Sequence, residues 1–229
     1  MSDLEQAVVK HKYRLLSGEV AVNVTAISGL MDDGKSGAFA GAAIKLERQG
    51  LNYREEWKAK GERGSRVHAH CEAFLKGEAI DVQEDEHGFV DAVEAFMTDH
   101  SPEVLELEAI TLSAQGYGGR FDMIVRMGDE NWLLDLKTGR PYAIEHTLQL
   151  AAYRHSDGIA VYSGTGELAS LRPLPAIDKA GCLYVNEDGT YRIIEYPADA
   201  VAFAHFCNLL KVYQWTRTQE MKNVVKGTK

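Results

Sequence analysis

Two short apolar runs near the middle of the chain give the clearest pattern of hydrophobic and polar positions. They span residues 121–126 and 132–136, and a polar, glycine-containing segment at residues 128–131 separates them. Short apolar runs around such a segment predict a β-hairpin. Each predicted strand also carries one acid where a core strand is normally apolar, Asp122 in the first and Asp135 in the second.

The second strand places a charged pair on one face. Side chains two residues apart point the same way along a strand, so Asp135 and Lys137 share a face, with Leu134 and Leu136 on the other. A carboxylate and an ammonium on the buried face of an apolar hairpin are costly unless they are paired or bind a metal. This hairpin is therefore the strongest candidate for a functional site.

The remaining pattern alternates helical and strand-like segments. Predicted helices span residues 2–16, 38–49, 53–60, 64–77 with Ser65 as N-cap, 89–97, 144–162 and 199–218. Predicted strands span residues 20–24, 104–112, 180–185 and 191–196, and predicted loops span 31–37 and 163–178. A chain of 229 residues with 45% hydrophobic content can bury one core. The pattern thus favours one α/β (α+β) domain.

Four short motifs resemble one enzyme superfamily. Asp122 on one strand and residues 135–139, Asp-Leu-Lys-Thr-Gly, on the next resemble the PD-(D/E)XK nuclease signature, and Asp-x-Lys-Thr-Gly is similar to its RecB-like branch. That branch adds Gln-x-x-x-Tyr on the following helix, matched by Gln149 and Tyr153. It also places a histidine on an earlier helix, matched by residues 64–68, Gly-Ser-Arg-Val-His. The motifs occur in the family's order.

The resemblance implies a fold and its division. A PD-(D/E)XK restriction-endonuclease-like core has a central mixed β-sheet flanked by helices, here with an N-terminal helical embellishment. The whole chain, residues 1–229, would be a single nuclease domain. Its parts would be an N-terminal helical region at 1–62, a catalytic core at 63–196, and a C-terminal helix with a basic tail at 197–229. Beyond the motifs, the chain from Val24 and Thr25 to the C-terminal helix resembles RecB-like exonucleases of actinobacterial phages.

The resemblance also implies a metal-dependent DNA exonuclease that hydrolyses phosphodiester bonds with Mg²⁺ or Mn²⁺ in DNA recombination or repair. The residues implied as catalytic are Asp122, Asp135 and Lys137. Those implied as metal ligands are His68, Asp122, Asp135 and the backbone carbonyl of Leu136. Those implied to contact DNA are Gln149, Tyr153 and Arg120. Carboxylate oxygens suit hard divalent cations, and a histidine ligand fits Mn²⁺ somewhat better than Mg²⁺.

Several residues keep two interpretations at this stage. His68 is a ligand or a structural histidine, and Glu72, four residues later on the same helical face, orients it or is exposed. His70 points away from that face. Glu108 lies near the site on a neighbouring strand or is a surface carboxylate. The pair Gln149 and Tyr153 serves the site or is purely structural.

The charge distribution modifies the picture that net charge gives. The formal net charge is −9, but residues 77–119 hold eleven acids and no Lys or Arg, and we interpret the acidic face of the predicted helix at 89–97 as a solvated flank facing away from DNA. Basic residues gather at 45–66 and 211–229. Because local potential attracts phosphate, the 54–66 cluster either faces DNA or forms a solvated helix face. Tyr53 and Trp57 either line a single-strand path or are core residues.

Cysteine usage and hydropathy bound the compartment and the cofactors. Cys71, Cys182 and Cys207 are widely spaced, which indicates a reducing compartment. Many RecB-like exonucleases hold an iron–sulfur cluster on four cysteines, and the three cysteines of this chain cannot complete such a set. We therefore predict no iron–sulfur cluster here. No apolar run reaches about 18 residues and the N-terminus lacks an apolar signal region, so we predict no membrane contact and a cytoplasmic protein, of a phage in its host or of a bacterium.

The expected partner is DNA, single-stranded or at a duplex end, and by resemblance a phage annealing protein or a helicase. Two other functions remain open. One is a structure-specific endonuclease with the same site, and the other is a catalytically silent DNA-binding protein of nuclease fold. The intact set of Asp122, Asp135 and Lys137 favours an enzyme, because an inactive relative is free to lose these residues.

Overall fold

Two five-stranded β-sheets carry the fold in the computed structural model, which describes residues 1–31, 35–78, 81–218 and 221. The first sheet has the order β10-β9-β6-β5-β2. Its strands are β2 (Glu103–Leu107), β5 (Met123–Met127), β6 (Glu130–Lys137), β9 (Lys179–Val185) and β10 (Tyr191–Glu195). The second sheet has the order β1-β4-β3-β7-β8. Its strands are β1 (Val22–Asn23), β3 (Ile110–Ser113), β4 (Tyr117–Arg120), β7 (Gly158–Tyr162) and β8 (Leu168–Arg172).

Seven α-helices surround these sheets in the described part of the chain. They are α1 (Asp3–Lys10), α2 (Val24–Ser28), α3 (Lys35–Arg48), α4 (Tyr53–Lys76), α5 (His87–His100), α6 (Ala143–Arg154) and α7 (Ala200–Thr216). A short 3₁₀ helix, Glu84–Glu86, precedes α5. Among the described residues, no helix has both the length and the apolar character needed to cross a membrane.

Strand β6 lies at the centre of the first sheet. It pairs antiparallel with β5, where Met123 lies opposite Leu134, and parallel with β9, where Asp135 lies opposite Cys182. The predicted hairpin of β5 and β6 is therefore present. Both sheets mix parallel and antiparallel pairs, so the fold class is mixed α/β with a central mixed sheet, as the sequence predicts.

Helices cover both faces of the first sheet. On one face Leu134 and Leu136 pack with Val67 of α4 and with Phe89 and Phe96 of α5. The other face has Ile124 and Leu133 at the sheet, and it packs against α2, α6 and α7 in a second cluster. Since β6 is buried on both faces, a charged residue within it must find its partners inside the protein.

The prediction of separate helices at 53–60 and 64–77 is wrong. Instead of two helices, α4 is a single helix, and its N-cap is Asn52, whose side chain accepts a hydrogen bond from the Arg54 backbone N–H at 3.0 Å. Ser65 is not an N-cap but an interior residue, and its hydroxyl donates to the Gly61 carbonyl at 3.1 Å. Packing thus carries the helix through Gly61 and Gly64.

The predicted strand 104–112 is also wrong, because it divides at Glu108 into β2 and β3, which belong to different sheets. Glu108 has a φ of 50°, in the left-handed region, and its N–H donates to the Asp122 carbonyl at 2.7 Å. This sharp bend breaks the alternation that a single strand would continue. It also turns the Glu108 side chain toward the β5–β6 hairpin.

Other boundaries differ from the predictions. The helix predicted at 144–162 ends at Arg154, after which β7 begins, and the loop predicted at 163–178 contains β8. The helix predicted at 2–16 ends at Lys10, and the strand predicted at 20–24 is limited to Val22–Asn23, with Asn23 capping α2. Residues 32–34 of the predicted 31–37 loop and most of the tail after residue 220 lie outside the described residues.

Candidate active site

Asp122 lies directly before β5 and joins the two strands of the hairpin. Its Oδ2 accepts a hydrogen bond from the Leu136 N–H at 2.6 Å. The same oxygen lies 3.4 Å from Nδ1 of His68 on α4. Asp122 therefore connects the centre of β6 to the helix that crosses this face of the sheet.

Asp135 lies one strand over and is almost fully buried. Its Oδ1 accepts a hydrogen bond from Nε2 of Gln149 on α6 at 3.0 Å, and the same amide lies 3.3 Å from the Tyr153 hydroxyl. Its Oδ2 forms an ion pair with the Lys137 ammonium. The predicted common face of Asp135 and Lys137 is thus present, and the Gln149–Tyr153 pair lies beside it.

Glu108 completes a group of metal-donor atoms. One donor atom each from His68, Glu108 and Asp122 lies within 4.8 Å of the others. The Glu108 carboxylate also forms an ion pair with Arg120, whose Nε lies 2.8 Å away. A cavity of about 10 Å³ beside this group is lined by all three side chains and by Glu72, and it has about the room that one water-sized particle needs.

Negative charge accumulates around this cavity. Burial, with the charge of Asp122, raises the pKa of Glu108 to about 7. Burial and the charge of Asp122 raise the pKa of Asp135 even though Lys137 lies against it. Against the effect of burial, His68 and Lys137 hold the pKa of Asp122 below its usual value. Raised pKa values beside a lowered one are expected where carboxylates share one site.

These observations fit a divalent metal ion. Carboxylate oxygens with one imidazole nitrogen are a donor set for a hard divalent cation, and such a cation would offset the repulsion among the carboxylates. The His68, Glu108 and Asp122 cluster can therefore bind a metal. The three described cysteines are free thiols, and the absence of an iron–sulfur cluster stays a prediction from their number.

The structure separates the residues assigned from sequence into those that converge and those that do not. Asp135 lies outside the three-donor group, and its role as a metal ligand stays a prediction, as does that of the Leu136 carbonyl. Glu72 lines the cavity, but its carboxylate forms an ion pair with Lys76 instead of orienting His68. Arg120 forms its ion pair with Glu108, so its contact with DNA also stays a prediction.

Sequence reasoning missed a second buried cluster next to the site. Glu86, which lies in the acid-rich segment 77–119, is fully buried. It forms an ion pair with Arg66, and one carboxylate oxygen lies 2.7 Å from Nε2 of His70. Arg66 and His70 are four residues apart on α4, and a helical face with two basic groups was the available signal for a buried acid.

We expect His68→Ala to weaken metal binding and His70→Ala to leave it unchanged. His68 offers its ring to the cavity, whereas His70 is held by Glu86 on another face of α4. Calorimetric titration with Mn²⁺ measures the affinity of both variants. Since His70 is buried, its variant is expected to lose thermal stability, which a parallel melting curve records. A loss of affinity limited to His70→Ala would contradict the assignment.

The fold and this site define a mixed α/β protein with a candidate acidic and histidine metal centre at a β-hairpin. No known family model matches the sequence, and no curated protein sequence matches it. Among solved structures, the chain is similar to SSO0001, with 16% identity, a TM-score of 0.43, and coverage of 94% of this chain and 85% of that one.

It is also similar to an alkaline exonuclease, LHK-Exo, from Laribacter hongkongensis. That comparison gives 12% identity and a TM-score of 0.43, with coverage of 90% of this chain and 92% of the other. Both identities are low, and the similarities concern the shape of the chain alone.

Proposed function

We propose that the protein is a metal-dependent deoxyribonuclease that hydrolyses phosphodiester bonds from the ends of linear DNA. One observation carries the proposal: the donors of His68, Glu108 and Asp122 converge beside the buried Asp135–Lys137 pair. This combination supplies metal ligands and a cation at one place, which phosphodiester hydrolysis requires. The resemblance of Asp-x-Lys-Thr-Gly and Gln-x-x-x-Tyr to RecB-like exonucleases favours digestion from an end.

His68, Asp122 and Asp135 would hold Mg²⁺ or Mn²⁺ with the Leu136 carbonyl, and Glu108 would join them on release from Arg120. A bound ion of this kind polarises the phosphate and makes water a better nucleophile. The site residues position the scissile phosphate against the β5–β6 hairpin. This assignment follows the donor atoms and the resemblance together.

Lys137 acts as a cation in this proposal and not as a base. Although burial lowers the pKa of an ammonium, the charges of Asp135 and Asp122 raise the pKa of Lys137 above its usual value. Lys137 therefore stays protonated at neutral pH. It donates hydrogen bonds to the attacking water or to a phosphate oxygen and offsets the charge that develops during reaction.

Gln149 and Tyr153 support the site from α6. Both side chains are buried, and the Gln149 amide donates to Asp135 while lying beside the Tyr153 hydroxyl. We assign them the role of positioning Asp135, because the Gln149 amide donates directly to its carboxylate. Their contact with the DNA backbone stays a prediction from the resemblance.

We propose the domain division and the partners on the family resemblance alone. We propose one nuclease domain across residues 1–229, with a helical region at 1–62, the catalytic core at 63–196 and the C-terminal part at 197–229. DNA is the proposed substrate, bound without base-specific contacts. A phage annealing protein or a helicase is the proposed class of protein partner.

The test compares four substrates: a linear single strand, a linear duplex, a relaxed duplex circle and a single-stranded circle, each with Mg²⁺, Mn²⁺ or EDTA. We expect mononucleotides or short oligomers from the linear forms, intact circles, and no products in EDTA. Efficient cutting of either circle would indicate a structure-specific endonuclease with the same site. No cutting by folded, metal-loaded protein would indicate a DNA-binding protein of nuclease fold.

A further inference from the structure

Helix α3 leaves its apolar side uncovered. It packs against the N-terminal half of α4, yet none of its described side chains, at residues 36–48, is buried. Phe39 is 42% exposed and Ile44 is 54% exposed. An apolar stripe that is exposed to solvent on a short helix indicates a binding surface.

The two helices form an aromatic cleft. The ring of Trp57 on α4 lies 5.2 Å from that of Phe39 on α3 and 4.9 Å from that of Tyr53. These rings, with Ile44 and Arg48, line an open cleft of about 710 Å³. Tyr53 also borders an adjoining cleft of about 470 Å³ that contains Arg54. Aromatic walls of this kind offer stacking faces to a flat ligand.

The charge of this region favours an anionic ligand. Residues 36–60 hold five basic and three acidic side chains, in a chain whose net charge is −9. Arg48 lies at the first cleft, and Arg54 at the second donates its Nε hydrogen to the Tyr53 hydroxyl at 3.0 Å. Glu47 is the acidic residue that lines both clefts. Stacking faces with local positive charge suit an unpaired polynucleotide strand.

One face of α4, which carries two glycines, connects the cleft to the candidate active site. Trp57 and His68 are eleven residues apart on α4, or about three turns and about 16 Å, which places them on the same side of the helix. Gly61 and Gly64 lie between them on that side. A Cβ added at Gly61 would meet nothing within 4 Å, and one at Gly64 would come 3.2 Å from the Thr138 hydroxyl at the end of β6.

We propose that the cleft between α3 and α4 binds the bases of an unpaired DNA strand whose terminus reaches the metal site along the Gly61–Gly64 face. The part of this inference that leads the strand terminus to the metal site rests on the proposed function. The binding of the bases in the cleft does not. For an unpaired strand that keeps the 3.4 Å base spacing of duplex DNA, the distance from Trp57 to His68 corresponds to about five nucleotides. Overhangs shorter than this would not reach the cleft from the site.

The first experiment measures binding without cleavage. Fluorescently labelled duplexes with blunt ends, or with overhangs of three or ten nucleotides at either strand end, are titrated with Asp135→Asn protein in Ca²⁺. We expect Trp57→Ala and Phe39→Ala in that background to weaken binding of a ten-nucleotide overhang by about tenfold, the size of one lost stacking contact. Binding of blunt and three-nucleotide ends should stay within twofold. Trp215→Ala, which removes an exposed tryptophan from α7, is the matched control.

The second experiment fills the path without removing any contact. Gly61→Leu places a side chain on this face of α4 and also raises helix propensity, so the variant is expected to melt no lower than the parent. We nevertheless expect it to bind the ten-nucleotide overhang about tenfold more weakly, whereas Gly61→Ala should have a much smaller effect. This pair separates blockage of the path from a loss of folding.

The outcomes keep this inference distinct from the proposed function. If the protein cleaves no DNA but Trp57→Ala weakens single-strand binding, the cleft assignment stands and the nuclease assignment fails. If the protein cleaves linear DNA and Trp57→Ala, Phe39→Ala and Gly61→Leu all leave overhang affinity unchanged, the cleft assignment is overturned. Equal weakening for blunt ends and long overhangs would also overturn it, because it would indicate general binding to the DNA backbone.

Discussion

Replacing Asp135 with asparagine is expected to lower the rate of DNA cleavage by at least about 10²-fold while the protein stays folded. The substitution keeps the shape of the side chain and an oxygen that can still accept from Gln149. It removes the negative charge that pairs with Lys137 and that is proposed to bind the metal. Turnover of end-labelled linear DNA in Mn²⁺ measures the effect.

The same substitution is expected to leave the free energy of unfolding unchanged or slightly higher in metal-free buffer. Burial and the charge of Asp122 raise the pKa of Asp135 despite the opposing charge of Lys137, which means that folding disfavours the ionised form of this carboxylate. A neutral asparagine has a smaller desolvation cost. Urea unfolding followed by circular dichroism gives the comparison.

A control on the same hairpin is Asp129→Asn, which changes an exposed acid in the turn between β5 and β6. It should leave both turnover and stability near those of the parent. Near-parental cleavage by folded Asp135→Asn protein would contradict the active-site assignment. Loss of activity together with unfolding would leave Lys137→Ala as the independent test, expected to lower turnover more than metal affinity.

The sequence predicts the hairpin and its charged face because both depend on local alternation. Period-two spacing is enough to place Asp135 and Lys137 together, and four-residue helical spacing is enough to pair Gln149 with Tyr153. The structure has both arrangements. What spacing does not reveal is the contact between the pairs, which arises because α6 packs beside β6.

The prediction fails where the backbone changes direction or where packing overrides local signals. At Glu108 a single residue in the left-handed region directs the following strand into another sheet. It also places the Glu108 carboxylate beside the donor atoms of His68 and Asp122. Alternating apolar residues before and after it read as one continuous strand. In α4, the sequence predicts separate helices at 53–60 and 64–77, but packing of Val67 and Cys71 against the sheet keeps the helix continuous.

The Glu86 cluster shows the same limit for charge. The segment 77–119 has eleven acids and no Lys or Arg, and most of these acids are exposed or half-buried. Glu86 differs because the partners that make its burial possible, Arg66 and His70, lie about twenty residues earlier, on α4. These partners flank His68 in sequence, so the cluster holds the segment of α4 that carries the candidate ligand.

Glu86→Ala is expected to lower the free energy of unfolding by about 3 kcal/mol, near the lower limit for removing one partner of a buried ion pair. Arg66 is partly exposed and can regain water, whereas His70 would stay buried next to an empty space. Denaturant unfolding at pH 7 measures the loss. Glu84→Ala, in the same 3₁₀ helix, removes an exposed acid and should change stability by less than about 0.5 kcal/mol.

The pH dependence of this effect distinguishes the charge of Glu86 from its packing. Burial alone would raise the pKa of Glu86, but hydrogen bonds from Arg66 and His70 lower it to about 2. Because the pKa in the folded state lies below the usual value, the carboxylate stabilises the fold above its usual pKa, and this contribution is lost as pH falls toward 2. Glu86→Gln keeps the shape without the charge. Its stability should therefore differ most from the parent at pH 6 to 7 and approach it between pH 4.5 and 2, and a difference that stays constant over this range would show that the charge of Glu86 does not stabilise α4.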